Sequence, residues 1–244
     1  MNSQNEYTDP TGEHKIPILF EDNDLLVVSK PAGLPTQSTV DKRRANLYDL
    51  LRDSRRWPYL GLHHRLDVPT SGVLLLVKNR DYNKAIAEGF RDRTIHKTYY
   101  CLCRGLIPWD EIVVENHLKQ TKLKNGKTKM TVVNSGGDWA KTEFKVLGRS
   151  TLETESSALP LCTLVEAKPL TGRMHQIRIH LSSAGFPILG DALYGSVIKD
   201  IKRLMLHAAV LKFIHPRTNK EMTITSPIPA DLRTLLKKQM ITAP

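Results

Sequence analysis

The chain reads as an α+β protein on a mixed sheet, and three observations carry that reading. Short runs of apolar and β-branched residues recur from end to end, while only a few segments hold helical spacing. Strands and helices do not alternate regularly, which excludes a doubly wound α/β fold. Near the middle, Val73 to Val77 is an unbroken apolar run between a Pro-Thr-Ser-Gly turn signal and Lys78, the mark of a strand buried on both faces.

Residues 1–17 read as a flexible arm, with residues 18–240 forming a single catalytic domain. Ile18 to Lys30 predicts two short strands joined at the turn Asp22-Asn23-Asp24. Pro31 to Pro35 breaks the chain into a loop, after which Asn46 to Asp53 places Leu47, Leu50 and Leu51 on one helical face. Asp81 to Arg91 carries Tyr82, Ala85, Ile86 and Phe90 at the spacing of an amphipathic helix. Lys97 to Arg104, rich in Tyr and Cys, reads as a strand. Residues 107–141 are less regular and contain a basic stretch from Lys119 to Lys129, either a solvated hairpin or an RNA-facing loop. Further strands follow at Thr142–Leu147 and Leu161–Ala167. Met174 to Ala184 predicts a helix with Met174, Ile177, Leu181 and Ala184 on its apolar face and His175, Arg178 and Ser182 opposite, stopped by Gly185 and Pro187. Ala208–Ile214 and Glu221–Thr225 alternate like strands, and Asp231–Lys238 closes as a helix.

Composition narrows the function. Lys and Arg number 36 against 25 Asp and Glu, a formal charge of +11, which fits a polyanionic partner such as nucleic acid or a basic surface kept for solubility. Three cysteines, Cys101, Cys103 and Cys162, make no disulfide framework and no C-x-x-C zinc pair. The N-terminus has neither an apolar signal core nor an Arg-rich transit pattern, and no apolar run approaches the roughly 20 residues that span a bilayer. A soluble, cytoplasmic protein is expected. Dinucleotide, P-loop, zinc-protease and nucleophile-elbow motifs are missing from the sequence. His175 and His180, five apart, point in different directions on a helix and make a weak metal pair. That leaves one carboxylate in view: Asp67, flanked by Arg65, His63 and His64 at the mouth of the buried strand. An acid there has a structural partner or a chemical task.

The runs His64-Arg-Leu-Asp67, Thr70-Ser-Gly72, Lys97-Thr-Tyr99, Gly172-Arg-Met-His-Gln-Ile-Arg178-Ile-His180 and Gly190-Asp-Ala-Leu-Tyr-Gly195 resemble, in order and spacing, the RluA-type pseudouridine synthases. Leu25 to Gly33 and Leu206-His-Ala208 resemble them too, so the likeness covers roughly residues 18 to 230. It implies the pseudouridine synthase fold, a largely antiparallel central sheet flanked by helices and loops. It also implies that a uridine within RNA is isomerised to pseudouridine without metal or cofactor. Asp67 would be the nucleophile or base, adding to the uracil ring or to C1′, or removing the 2′ proton; the sequence does not choose. Arg178 would hold that carboxylate ionised against desolvation, and Tyr99 would pack on the target base. His64, Arg65, Arg173 and His175 are implied RNA contacts, Arg65 first, with Arg173 alternatively tied to Asp191. Lys97 reads as structural or phosphate-facing. The short arm leaves no room for the S4 domain many members carry, and the expected partner is tRNA, 23S ribosomal RNA or both, bound by a monomer. Two other readings stand beside this one: an RNA-binding module that has lost the chemistry, and a nucleoside hydrolase, which would more often need a second acid near Asp67.

Overall fold

The computed structural model describes residues 6–244 except 10, 42, 55, 56, 124, 125, 127 and 152–159. In chain order its elements are β1 (Glu6–Thr8), β2 (Lys15–Glu21), β3 (Leu25–Lys30), α1 (Leu47–Asp53), β4 (Gly61–Leu62), β5 (Ser71–Val77) and α2 (Asn83–Arg91). Then come β6 (His96–Arg104), β7 (Glu111–Lys122), β8 (Thr128–Val133), β9 (Asp138–Arg149), β10 (Cys162–Pro169) and α3 (Gln176–Ser183). The last are β11 (Leu206–Ile214), β12 (Glu221–Thr225) and α4 (Ala230–Lys238). Strands dominate, and their described registers are antiparallel, so the α+β expectation holds. The chain divides into two compact units, residues 1–97 with 208–227, and residues 98–207 with 228–244.

In the first unit the strand order is β1-β2-β3-β5-β11, with β4 on β5 and β12 on β11. All seven residues of β5 are buried, and its neighbour β3 buries five of six. One face packs Leu25, Val27, Val73, Leu75 and Val77 against Ile86, Ile95, Leu211 and Phe213. The other face buries Leu26, Val28, Leu74 and Leu76 completely, which is why this sequence run shows no alternation. Fully burying each such side chain is worth about 1.5–3 kcal/mol, so β5 is the most firmly anchored strand of its unit. The Thr-Ser-Gly turn feeding it has a steric reason. Gly72 takes φ of 117°, and a Cβ there would fall on the carbonyl oxygen of Ala208 in β11. Gly72 and Ala208 are thus two sides of one close backbone approach.

The second unit orders its strands β6-β10-β9-β7-β8. Its core joins Leu102, Leu164, Val165 and the three cysteines to Ile177, Leu181, Leu232 and Leu236 of the helices.

Several expectations are corrected. The irregular stretch 107–141 holds β7, β8 and the start of β9, paired from Glu111↔Lys145 and Leu118↔Val132 outward. Its alternation is real, with Glu111, Val113, Glu115 and His117 exposed and Leu118 buried, but an inward Asn116 and the pair Val113-Val114 blur it in the sequence. The basic stretch is therefore hairpin, its residues 124, 125 and 127 lying outside the described set. Where a loose arm is expected, Glu6–Thr8 pairs with β2, because Tyr7 is buried and its hydroxyl donates to the Leu50 carbonyl at 2.9 Å. Residues 1–5 and 10 of that arm lie outside the described set. The helix expected from Asp81 begins at Asn83 after a 3₁₀ turn, Arg80–Tyr82. The helix expected from Met174 begins only at Gln176; of its predicted polar face Arg178 is buried and His175 and Ser182 are half-buried, while Gln176 and His180 are buried as well.

Replacing Gly72 by Ala should cost about 3 kcal/mol or more, by backbone strain plus the clash with Ala208. A urea midpoint equal to that of the unmodified protein would show the approach to be slack.

Candidate active site

Three of the predicted residues, His64, Arg65 and Asp67, share the loop between β4 and β5 in the first unit. Its backbone is held residue by residue. The Leu75 N–H donates to His64 Nε2 at 2.9 Å, and the imidazole stacks on Phe90 with centroids 4.5 Å apart. Thr36, itself buried, closes a two-way pair with Leu66: its Oγ1 accepts the Leu66 N–H at 3.1 Å and donates to the Leu66 carbonyl at 2.8 Å. On the far side of Asp67, the Gly33 N–H donates to the Val68 carbonyl at 2.8 Å. The turn then closes with the Thr70 N–H on the Asp67 carbonyl at 3.0 Å.

Under this loop lies Lys30, at the end of β3, with no exposure at all. Its ammonium donates to the carbonyls of Pro31 at 3.0 Å, Leu34 at 2.8 Å and Val68 at 3.3 Å. An ammonium has three donors, and an unmet one in a dry interior is costly. Lys30 therefore ties the loop after β3 to the loop that presents Asp67. Asp67 itself is half-buried; Arg65 is exposed, and that guanidinium makes no hydrogen bond or ion pair among the described residues. Burial, with the nearby Lys97 charge and then His63 adding to it, pushes the pKa of His64 down to about 3. With Nε2 accepting from Leu75, the neutral ring carries its proton on Nδ1. Lys97 is half-buried, and its desolvation lowers the ammonium to about 8.

The other four residues belong to the second unit. Tyr99 sits half-buried on β6 opposite Ala167. Arg178, on α3, makes a two-pronged pair with Asp191, Nε to Oδ2 and Nη2 to Oδ1, both 2.8 Å, with side-chain exposures of 7% and 0%. Asp191 Oδ1 also accepts the N–H groups of Leu193 and Tyr194 at 3.2 and 3.3 Å, and the Tyr194 ring lies 5.1 Å beneath the guanidinium. The alternative tie from Arg173 to Asp191 is thus overturned, because Arg178 occupies that carboxylate. Arg173 lies at the surface, donating to the Trp139 carbonyl at 3.1 Å and standing 3.7 Å from Asp138.

His175 takes a left-handed conformation, φ 53°, with Nδ1 3.1 Å from the Tyr194 hydroxyl. Such a conformation costs a non-glycine residue about 1–2 kcal/mol, and the neighbouring Gln176 shows what supports it. Its Oε1 accepts from the Thr171 hydroxyl at 2.7 Å and the Arg173 N–H at 3.0 Å, while Nε2 donates to Lys141 O and Thr142 Oγ1 at 2.9 Å. The Thr-Gly-Arg-Met-His-Gln run is a loop closed on its own glutamine. His180, expected to pair weakly with His175 if at all, is buried against Phe144 with Nε2 3.1 Å from Asn116 Oδ1, and burial lowers it to about 4.

Lys30, Thr36, Gln176 and Asp191 hold this arrangement, yet sequence reasoning gave the first three no task and Asp191 the wrong partner. Their only sequence signal was position inside or beside the resembling motifs. Among the described residues, Asp22, Asp24 and His215 bring donor atoms within 4.8 Å of one another. Protein side chains already meet those acids, since Arg217 forks onto Asp24 and His215 Nε2 lies 2.7 Å from Asp22.

The sequence profile described as RNA pseudouridylate synthase matches residues 24–183. A ribosomal large subunit pseudouridine synthase C of Haemophilus ducreyi is 35% identical over 235 residues, spanning 91% of this chain and 68% of that protein. An uncharacterized RNA pseudouridine synthase of Bacillus subtilis is 31% identical over 227 residues, spanning 91% of this chain and 72% of its own length. Among solved structures, human RNA pseudouridylate synthase domain containing 4 superposes with a TM-score of 0.73 at 26% identity, covering 93% of this chain and 94% of the other.

Two outcomes follow from the geometry. Asp191→Ala would strip the buried Arg178 of a paired carboxylate and should cost roughly 3–5 kcal/mol in urea unfolding; a loss under 1 kcal/mol would count against that anchoring. Because the folded loop refuses a proton that a free imidazole accepts below about pH 6.5, His64 should erode stability as pH falls from about 6.5 toward 3. His64→Gln, which keeps an acceptor for Leu75, should flatten unfolding midpoint against pH across that window. Equal slopes in both proteins would remove the burial argument.

Proposed function

This chain belongs to the RNA pseudouridylate synthase family, and on that premise we propose that Asp67 carries out the isomerisation on large-subunit ribosomal RNA, with tRNA as a second candidate substrate. The enzyme class and the reaction follow from the family. The N1–C1′ bond of a uridine breaks, the C5–C1′ bond forms, the C5 proton leaves to solvent and N1 gains one.

The observation that carries the assignment to Asp67 is the loop that presents it. The backbone at 66, 67 and 68 is hydrogen-bonded at each position and the His64 side chain holds Leu75, so the carboxylate starts from a nearly fixed anchor. Orientation of this kind supplies a large share of catalysis, because the reacting groups have little freedom left to lose. Arg178, held by Asp191 and Tyr194, is the guanidinium proposed to keep Asp67 ionised, and Tyr99 the aromatic proposed to pack on the base. Arg65, exposed beside Asp67, is proposed to take phosphate or to fill the space left when the target uridine leaves its stack, a step costing a few kcal/mol. Arg173, His175 and the β7–β8 hairpin are proposed as further RNA contacts, His64 as the support of the loop. Residues 18–240 are proposed to act as one catalytic domain, in a monomer working in the cytoplasm without metal. Large-subunit ribosomal RNA is put first because the similar protein of Haemophilus ducreyi is named for it. Among the described residues no helix is long and apolar enough to cross a membrane.

RNA tritiated at C5 of uracil tests this directly, since isomerisation expels the tritium into water. The unmodified protein should release it from 23S ribosomal RNA, or from tRNA, and Asp67→Asn should release none while still binding RNA. Release by Asp67→Asn at more than a trace would overturn the assignment.

A further inference from the structure

We propose that Arg44, with Arg43 beside it, on the loop between Thr36 and Asn46, forms a preorganised phosphate-binding element that takes the RNA backbone flanking the target uridine; residue 42 of that loop lies outside the described set. The proposal rests on the RNA substrate of the preceding section. The loop, Gln-Ser-Thr-Val-Asp-Lys-Arg-Arg-Ala, holds three basic residues against one acid.

Its base is built into the mount of Asp67. The loop leaves from Thr36, whose side chain holds Leu66, and it is closed where Leu47 N–H meets Pro35 O at 2.9 Å and Tyr48 N–H meets Thr36 O at 3.0 Å. Asp41 organises the tip: its carbonyl accepts the Thr39 hydroxyl and the Arg44 N–H, both at 3.3 Å, and its Oδ1 accepts the Arg43 N–H at 3.1 Å. Arg44 Nη2 then donates to the Gly33 carbonyl at 2.9 Å, and the Gly33 N–H donates to the Val68 carbonyl at 2.8 Å. The guanidinium is thus tied, through a single residue, to the position after Asp67.

Only one of its five N–H donors is spent in this way; the fork is otherwise exposed, with no further partner among the described residues. An arginine fixed by one donor and open at the others has already lost most of its rotamer freedom, which lowers the cost of a two-pronged phosphate contact. Arg43 is 97% exposed, and its 3.8 Å approach to an exposed Asp41 contributes little. Val40, at the same tip, is fully exposed, so no part of the described chain covers the loop. On the adjoining loop Arg65 is open as well. These guanidinium groups form a basic rim around the Asp67 mount that the active-site geometry itself does not require, and phosphate is the ligand they fit.

Binding of 23S ribosomal RNA and of total tRNA, measured over a salt series in the Asp67→Asn background, tests the loop without turnover. Each lost phosphate contact lowers the slope of log affinity against log salt by about 0.7–0.9. Arg43→Gln/Arg44→Gln, in which the new amide side chain in place of Arg44 can still donate to Gly33, should weaken binding and lower that slope by about one to two. Lys212→Gln/Lys220→Gln removes equal charge at the end of β11 away from Ala208, where both lysines are exposed, and should leave it unchanged. An unchanged slope in the loop variant, or the same loss in both variants, overturns the proposal, as does an absence of RNA binding. Tritium release by the unmodified protein is read in parallel. RNA binding without release would remove the isomerisation reading while the loop still stands or falls by its slope.

Discussion

A buried ammonium sets the terms for the first unit. Lys30 sits at zero exposure and spends its donors on the carbonyls of Pro31, Leu34 and Val68. Burying that charge costs several kcal/mol before any hydrogen bond is counted. The cost is offset only when all three carbonyls converge, so the two loops that supply them are held to one relative geometry. The Asp67 carboxylate hangs from the second of those loops. Thr36 and Gly33 repeat the same tie, one residue to either side of Asp67. The position of the Asp67 carboxylate is therefore fixed by groups that are not among those proposed to react.

The second unit follows the same logic with opposite charge. Asp191 is fully buried and is met by two N–H groups of Arg178 and two backbone N–H groups. Gln176 closes the loop before α3 through four partners, and His175 bears a left-handed backbone as a result. Motifs that look like a roster of catalytic groups thus contain more mounting than chemistry. Thr171, Gln176, Gly190 and Asp191 are best understood as the frame for Arg178; at Gly190, for instance, a Cβ would meet the Arg203 carbonyl oxygen.

Legibility in the sequence tracked how local each signal was. Val73–Val77 was readable because burial on both faces removes alternation, and the helix from Asn46 was readable from the spacing of Leu47, Leu50 and Leu51, with Asn46 capping the Asp49 N–H at 3.0 Å in the structure. Strands β7 and β8 were not, since inward Asn116 and the pair Val113-Val114 blur the alternation of β7, whereas Thr142–Leu147 within β9 was readable. The partners of α3 were not legible for a different reason. The burial of Arg178 and His180 is explained by Asp191 and Asn116, which lie outside the helix and, for Asn116, far away in sequence.

Residue types in a fixed order were enough to carry the resemblance to a family: a lone acid after His-Arg-Leu, a Thr-Ser-Gly turn before a buried strand, and an arginine on a short helix. They sufficed because a motif is a matter of residue kind and spacing, and those are what a sequence records. Tertiary structure alone decided which residues hold those groups, that His64 supports the loop as a neutral ring, and that Arg178 is braced by Asp191. Each depends on burial and on hydrogen bonds between residues far apart in the chain, and neither quantity exists until the sheet has formed.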